Sequence, residues 1–300
     1  MKKSNFETLL ADYRSYLRFE RSMSQNTISG YVSDIEKFFN FLTDNGIDTA
    51  ETATGEDLAE FLSSAAQQKV SKRTQSRQIS SLKSLYRFLE SEGRISENPC
   101  DRIDSPKITR NLPDVLSVEE VVSIIESVDL TENEGTRNKA MLEMLYSCGL
   151  RVSELVNLKI SDLFFGEGFI RVMGKGNKQR LIPVGEAAVK AVSNYLDIRK
   201  LHKLQKGYDD ILFLNGRGGQ LTRNMVFIIV KKQTEKAGIR KSVSPHTFRH
   251  SFASHLVENG ADLRVVQEML GHESILTTEI YTHIDTRKWH ETILKYHPAR

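Results

Sequence analysis

Apolar side chains recur at helical spacing in four stretches of the first hundred residues. In the first stretch, Phe6 is followed by Leu9, Leu10, Tyr13 and Leu17, which fall on one face of a helix. The fourth stretch runs from Ser71 to about residue 92, where glycine follows as a helix-ending residue. The four predicted helices begin near residues 6, 25, 54 and 71. The pattern therefore predicts a small all-helical module.

The hydrophobic pattern of the second part is mixed. Ser117 and Glu120 have the spacing of a capping box and predict a helix start. Between Phe169 and Val184 the period changes to two on both sides of GKGNKQ, which predicts a hairpin, and ILFL at 211–214 predicts a short buried strand. Further helices are predicted near residues 136–149, 186–202, 222–237, 245–258, 262–270 and 286–296. We expect a mostly helical α/β unit with a small antiparallel sheet.

A proline-rich segment separates the two parts. Three of the six prolines lie between residues 99 and 113, where neither apolar period is sustained. We therefore predict a mainly α protein with a helical N-terminal domain over residues 1–106 and a second domain over 111–300.

Composition excludes several classes of protein. With 39% hydrophobic and 27% charged residues, the 300-residue chain is outside the range of disordered chains. Two cysteines exclude a disulfide framework and a four-thiolate zinc site. The longest apolar run, Met225 to Val230, is far shorter than the ~20 residues of a membrane span. Because the N-terminus also lacks an apolar signal segment, we predict a cytoplasmic protein without membrane contact.

Charge is distributed unevenly even though the net charge is only +3. Residues 61–89 contain six basic side chains and no acidic one. On the fourth predicted helix, the face opposite the apolar stripe carries Lys72, Arg73, Arg77, Lys83 and Arg87. An ordinary solvated surface is one interpretation, but such surfaces usually mix both signs of charge, so we favour a helix that faces phosphate groups. If all five side chains are exposed, replacing Arg73 and Arg77 weakens that binding and leaves thermal stability nearly unchanged.

Reactive side chains cluster in the motifs of the second domain. The candidates are Arg151, Lys175, His246, Arg249, His272 and Tyr281. Each alone has an ordinary explanation; Arg151, for example, could pair with Glu154 on the surface. Together, two arginines, a lysine, two histidines and a tyrosine are suited to stabilising and attacking a phosphoryl group.

Other catalytic templates fit the sequence poorly. Thr247 stands where a zinc protease of the HExxH type needs glutamate. The chain has no GxxxxGK[ST] loop, and the motif-bearing segments lack the clustered carboxylates that hold two metal ions. We therefore expect no metal ion and no nucleotide cofactor.

Several of these segments resemble the tyrosine recombinase (phage integrase) family, and most closely the bacterial Xer recombinases. The resemblance is carried by CGLRVSEL, VMGKGNKQRLIPVG, SPHTFRHSFASHLVENGADLRVVQEMLGHESILTTEIYTH and YHPAR, and it continues into RSMSQNTISGYVSDIEKF of the first domain. The sequence departs from the family pattern at Phe248, where leucine is usual, and at Leu276, where a small polar residue is common. Neither departure removes a chemical group.

The resemblance implies a fold and a role for each candidate. It implies a four-helix, SAM-like core-binding domain that clamps DNA with the catalytic domain. Tyr281 becomes the nucleophile that forms a 3′-phosphotyrosyl link, and His246 becomes its base. Arg151 and Arg249 bind the phosphate, Lys175 is the general acid, and His272 hydrogen-bonds the phosphate or orients its neighbours. The expected reaction is cutting and rejoining of DNA strands without metal or ATP.

The resemblance also implies partners. These are double-stranded DNA, a homo- or hetero-tetramer with a second Xer-type recombinase on two DNA sites, and an FtsK-like translocase as an open possibility. The predicted helix at 286–296 could dock on a neighbouring subunit through Trp289 and Ile293 or pack on its own domain. Resolution of chromosome dimers is the favoured biological role. An integrase of a phage, integron or conjugative element is one alternative, and a non-catalytic DNA-binding protein is a weaker one.

Overall fold

The chain is divided into two compact units, residues 1–111 and 112–300. The computed structural model describes residues 2–67, 70–101, 103, 115–174, 179–271 and 283–298. Most of the predicted linker lies outside these ranges, so the domain limits of 106 and 111 stay a prediction. Cys100 and Cys148 are buried free thiols. Within the described ranges, none of the helices has both the length and the apolar character that a bilayer span requires.

The first unit consists of the four predicted helices. They are α1 (Lys2–Phe19), α2 (Gln25–Asp44), α3 (Gly55–Gln67) and α4 (Lys72–Ser91). Ser24 and Ser71 cap α2 and α4, because each hydroxyl accepts a hydrogen bond from the backbone N–H three residues on. The apolar faces meet in one core, where Phe38 and Tyr86 pack edge to face at a centroid distance of 6.3 Å. The predicted helical module is confirmed.

The second unit is mostly helical and contains a small antiparallel sheet. Its helices are α5 (Val118–Glu126), α6 (Gly135–Ser147), α7 (Val152–Val156), α8 (Glu186–Arg199), α9 (Arg223–Lys236), α10 (Pro245–Glu258), α11 (Leu263–Met269) and α12 (His283–Tyr296). Its described strands, in spatial order, are β1 (Leu163–Phe164), β2 (Phe169–Met173) and β3 (Gln179–Pro183). Ile170 lies opposite Ile182, and both face the core. The predicted hairpin, β2 and β3, is confirmed, and the Ser117–Glu120 capping box opens α5 as expected.

The strand prediction at 211–214 is wrong. Leu212 and Phe213 are buried, but only the two ends of the segment form isolated bridges, Ile211 with Lys159 and Leu214 with Gln220. The backbone N–H of Leu212 donates to the carbonyl of Leu158, and the carbonyl of Phe213 accepts from Leu221. The guanidinium of Arg199 takes the carbonyl of residue 211, so backbone and side-chain partners satisfy this segment without a continuous strand ladder. An apolar run therefore predicted burial correctly and strand pairing incorrectly.

The last helix, α12, packs within its own unit. Trp289 and Ile293 are each 2% exposed and belong to the hydrophobic core that also contains Phe252 and Leu256. The sequence left two alternatives for this helix, docking on a neighbouring subunit or packing on its own domain. In this structure α12 packs on its own domain.

Candidate active site

Arg151 lies at the start of α7, directly after a tight turn. Gly149 adopts a positive φ of 56°, and a Cβ atom there would lie 2.5 Å from the ring of Phe252, so only glycine fits. The backbone N–H and Nη1 of Arg151 both donate to Glu154, at 2.8 and 2.9 Å, while Nη2 donates to the carbonyl of Gly271 at 2.9 Å. Hydrogen bonds to Glu154 and Gly271 fix the guanidinium, and because the side chain is still 37% exposed, part of the guanidinium is accessible from solvent.

Arg249 approaches the same place from α10. Its Nη1 donates to the carbonyl of Gly149 at 2.6 Å, and its Nη2 donates to the carbonyl of Leu270. Burial, together with the charge of Arg151, lowers the pKa of Arg249 to about 9, and Glu154 opposes the shift. Arg249 is therefore still a cation at neutral pH.

Glu154 connects the two arginines. Its carboxylate is 2% exposed, accepts hydrogen bonds from Arg151, and lies 3.8 Å from Nη1 of Arg249. Burial alone would raise the pKa of Glu154, but hydrogen bonds and charge from Arg180, with further bonds from Arg151, hold the pKa below its usual range. The surface pair considered from the sequence is thus a buried ion cluster.

Arg180 is the residue of this cluster that sequence reasoning missed. It lies on β3 and forms two parallel bonds with the Glu154 carboxylate, at 2.8 and 2.9 Å. A signal was available, because the alternation of β3 places Arg180 on the same side as the buried Ile182. An arginine at a core position indicates a buried acidic partner.

Backbone carbonyls at the end of α11 accept hydrogen bonds from all three arginines. The successive carbonyls of Met269, Leu270 and Gly271 accept from Arg180, Arg249 and Arg151, respectively. The last carbonyls of a helix have no partner within the helix and carry its partial negative charge, so they are suited to binding cations. These three carbonyls, the three arginines and Glu154 form the unit that we call the arginine cluster.

Of the other four predicted catalytic residues, the structure describes one. His246 is exposed on α10, one turn before Arg249. The predicted residues Lys175, His272 and Tyr281 lie outside the described residues. The structure thus brings Arg151 and Arg249 together and leaves the roles of all six residues as predictions.

The arginine cluster has an excess of positive charge. Among the described residues of the cluster, Arg151, Arg180 and Arg249 carry three positive charges against the single carboxylate of Glu154, a formal excess of two. Fixed guanidinium forks suit the nonbridging oxygens of a phosphodiester. No group of three or more potential metal ligands occurs in the part of the chain that the structure describes.

Only some of the basic side chains on α4 are exposed to solvent. Lys72, Arg73 and Arg87 are exposed and Lys83 is half-buried. Nη1 of Arg77 instead lies 2.8 Å from the buried carboxylate of Asp34 and donates to the carbonyl of Gly30 at 2.7 Å. The expectation that all five side chains are simply exposed is wrong for Arg77, because it joins α2 to α4.

Comparisons with known proteins agree on one family. Residues 114–288 match the phage integrase family, and residues 10–93 match its N-terminal SAM-like domain. Tyrosine recombinase XerD of Staphylococcus aureus is 38% identical over 97% of this chain and 99% of the relative. XerD of Staphylococcus haemolyticus is 39% identical with the same coverage. XerH site-specific recombinase, solved on a palindromic difH substrate after cleavage, is 25% identical, covers 96% of this chain and 95% of its own, and has a TM-score of 0.72.

The chain therefore belongs to the phage integrase family, as its motifs predicted. It is a site-specific tyrosine recombinase, and its sequence is similar to XerD.

Proposed function

We propose that this recombinase cuts DNA by attack of Tyr281 on a backbone phosphate, forming a 3′-phosphotyrosyl link and releasing a 5′-hydroxyl. The observation that carries the proposal is the arginine cluster, where Arg151 and Arg249 are held by Glu154 and by the end of α11. The chain continues from Gly271 directly into His272 and then to Tyr281, so the proposed nucleophile lies ten residues after the carbonyl that accepts from Arg151.

Arg151 and Arg249 bind the nonbridging oxygens, whose negative charge grows in the transition state. A tyrosine with its ordinary pKa near 10 is only about one-thousandth ionised at pH 7, so Tyr281 needs a base, and His246 takes its proton. The bond from phosphorus to the tyrosine oxygen forms as the bond to the 5′-oxygen breaks. Lys175 then protonates that oxygen, and His272 hydrogen-bonds the phosphate.

Rejoining reverses these steps. The 5′-hydroxyl of a second strand attacks the phosphotyrosine, and Tyr281 leaves with its proton restored. Each half-reaction exchanges one phosphate ester for another, so strand exchange needs no ATP. Arg151 and Arg249 supply the positive charge at the phosphate, so the proposed reaction uses no metal ion.

A nicked suicide substrate tests the nucleophile, because the small fragment diffuses away and traps the covalent adduct. We expect the unaltered protein to form a denaturant-resistant adduct and Tyr281→Phe to bind DNA with unchanged affinity but form none. Tyr208→Phe is the matched control and keeps the adduct, since Tyr208 lies in a loop of the same unit. An adduct in Tyr281→Phe would show that the assigned nucleophile is wrong. A non-catalytic DNA-binding protein would give no adduct with any variant.

The biological role that we propose is resolution of chromosome dimers in the cytoplasm before cell division. The identity of 38% with a recombinase named XerD, over nearly the whole of both chains, supports this role. Deleting the gene should increase the fraction of cells that divide across an unsegregated chromosome, and the intact gene, but not Tyr281→Phe, should restore segregation. A deletion without that defect would favour the integrase of a mobile element.

The proposed assembly is a tetramer on two double-stranded DNA sites, with either four copies of this chain or two copies and two of a second Xer-type recombinase. The 25% identical XerH, solved on its difH substrate, supports DNA as the partner. A footprint in the replication-terminus region would identify the site. Adding an FtsK-like translocase to the purified reaction tests whether strand exchange depends on it.

A further inference from the structure

Arg180 occupies a position where a charge is costly. Its side chain is 5% exposed and lies on the same face of β3 as the buried Ile182. An ion taken from water into a protein core loses several kcal/mol unless hydrogen bonds and a counter-charge replace its hydration. Arg180 has both, since each of its three nitrogen atoms is a hydrogen-bond donor: Nη1 and Nη2 to Glu154 and Nε to the carbonyl of Met269.

The contacts of Arg180 lead to the phosphate-binding forks. Glu154 Oε1 accepts from both Arg180 and Arg151, and Oε2 accepts from Arg180 and from the backbone N–H of Arg151. The carboxylate that orients Arg151 is therefore itself oriented by Arg180. Without that second fork, Glu154 would keep hydrogen bonds only from Arg151, with Arg249 3.8 Å away.

Arg180 also joins two segments that lead to other proposed catalytic residues. It lies on β3, five residues after Lys175 in sequence, and through Met269 it binds the end of α11 that precedes His272. The chain at Gly271 passes close to it, because a Cβ atom at Gly271 would lie 3.4 Å from Cδ, Nε and Cζ of Arg180. One buried side chain thus contacts α7 and the end of α11 from the strand β3.

We propose that Arg180 is a positioning residue for strand cleavage: it fixes Glu154 and the end of α11 so that Arg151 and Arg249 keep the spacing that a phosphate requires. It does not bind the phosphate itself, since Nη1, Nη2 and Nε all donate within the protein, to Glu154 and to the carbonyl of Met269. This inference rests on the proposed function of Arg151 and Arg249. Misplacement of such groups by about 1 Å lowers a rate by about 10²-fold.

The test compares Arg180→Met and Arg180→Lys with Arg171→Met. Arg171 is the matched control because it lies on the adjacent strand β2 and pairs with Asp162, away from the arginine cluster. The single-turnover rate of adduct formation on the suicide substrate is measured with enzyme in excess, and DNA affinity is measured by fluorescence anisotropy. We expect Arg180→Met to cleave about 10²-fold more slowly with its affinity within twofold, Arg180→Lys to be intermediate, and Arg171→Met to be unaffected.

The pH dependence of the rate separates positioning from a general loss of structure. The pKa of Glu154 is held down by Arg180 against burial, so it rises when Arg180 is removed. Arg180→Met should therefore lose rate more steeply than the unaltered enzyme between pH 8 and pH 6, as Glu154 gains a proton and releases Arg151. Adding Glu154→Gln to Arg180→Met should abolish this extra dependence, because the amide does not titrate.

Several results would overturn the inference. A cleavage rate of Arg180→Met within threefold of the unaltered enzyme would do so. An equal loss of cleavage rate in Arg171→Met, or a loss of DNA affinity in Arg180→Met that parallels its loss of rate, would do so as well. If Arg180→Met does not fold, Arg180→Lys decides, and an unchanged rate and pH profile in that variant refutes the inference. An adduct that persists in Tyr281→Phe would refute the assigned nucleophile and still leave the rate effect of Arg180 measurable.

Discussion

Replacing Arg77 with alanine is expected to destabilise the first unit, although Arg77 belongs to the basic face of α4. The substitution removes the cation that lies 2.8 Å from Asp34, whose side chain is 1% exposed. Ser81 would remain as a hydrogen-bond donor to Asp34, at 3.1 Å. Removing one partner of a fully buried pair costs ~3–5 kcal/mol. Because the Arg77 side chain is 40% exposed and water screens the pair, we expect about 2 kcal/mol.

Denaturant unfolding can assign this loss to one unit. The single tryptophan, Trp289, is buried in the second unit, so its fluorescence reports that unit, while far-ultraviolet circular dichroism reports helices of both. Arg77→Ala should lower the midpoint of the circular-dichroism transition contributed by the first unit and leave the fluorescence midpoint unchanged. Arg73→Ala, an exposed neighbour on the same helix, is the control and should change stability by less than about 0.5 kcal/mol.

The effect of Arg77→Ala should depend on pH. Burial raises the pKa of Asp34 above its value in the unfolded chain, although Arg77 and Ser81 lower it in part. A raised native pKa means that protonation favours the folded state, so the ionised carboxylate destabilises the fold at neutral pH. The loss in Arg77→Ala should therefore shrink as the pH falls through the native pKa, and Asp34→Asn should restore most of it. A variant with the unaltered midpoint at pH 7.5 would refute the reasoning.

The remaining predictions concern DNA. Arg73→Ala with Arg87→Ala should weaken binding and flatten the slope of log K against log salt by up to about two units without loss of stability, and an unchanged slope would make this face ordinary surface. Arg151→Ala and Arg249→Ala should each lower the single-turnover cleavage rate by about 10²-fold or more, and a loss below tenfold would contradict phosphate binding by that fork. Cleavage should proceed in EDTA without ATP, whereas rescue by magnesium after EDTA treatment would indicate a metal-dependent nuclease.

Local signals in the sequence were sufficient for most of the secondary structure. Ser117 starts the helix that its capping box predicted, α4 begins beside Ser71 as its apolar period predicted, and period-two alternation located the β2–β3 hairpin. The strand β1 was missed because two residues cannot show a period. Buried ion pairs were also missed, since Asp34 and Arg77 are 43 positions apart in sequence and no local pattern reports such a contact.

The candidate site shows the same limit. Its family motifs named Arg151 and Arg249, which the structure brings to one place. The pairing of Glu154 with Arg180 depends on how a short helix meets a strand, and only the folded chain specifies that geometry. A charged residue at an inward strand position was the available sign, and it indicates a partner without identifying it.

The arginine cluster is assembled from four separate stretches of chain, at residues 149–154, 180, 249 and 269–271. A chain still being synthesised lacks the end of α11 until nearly all of the second unit has been made. DNA cutting is consequently coupled to completion of the fold: an incomplete or partly unfolded chain can still carry positive charge to DNA but has no fixed site for a phosphate.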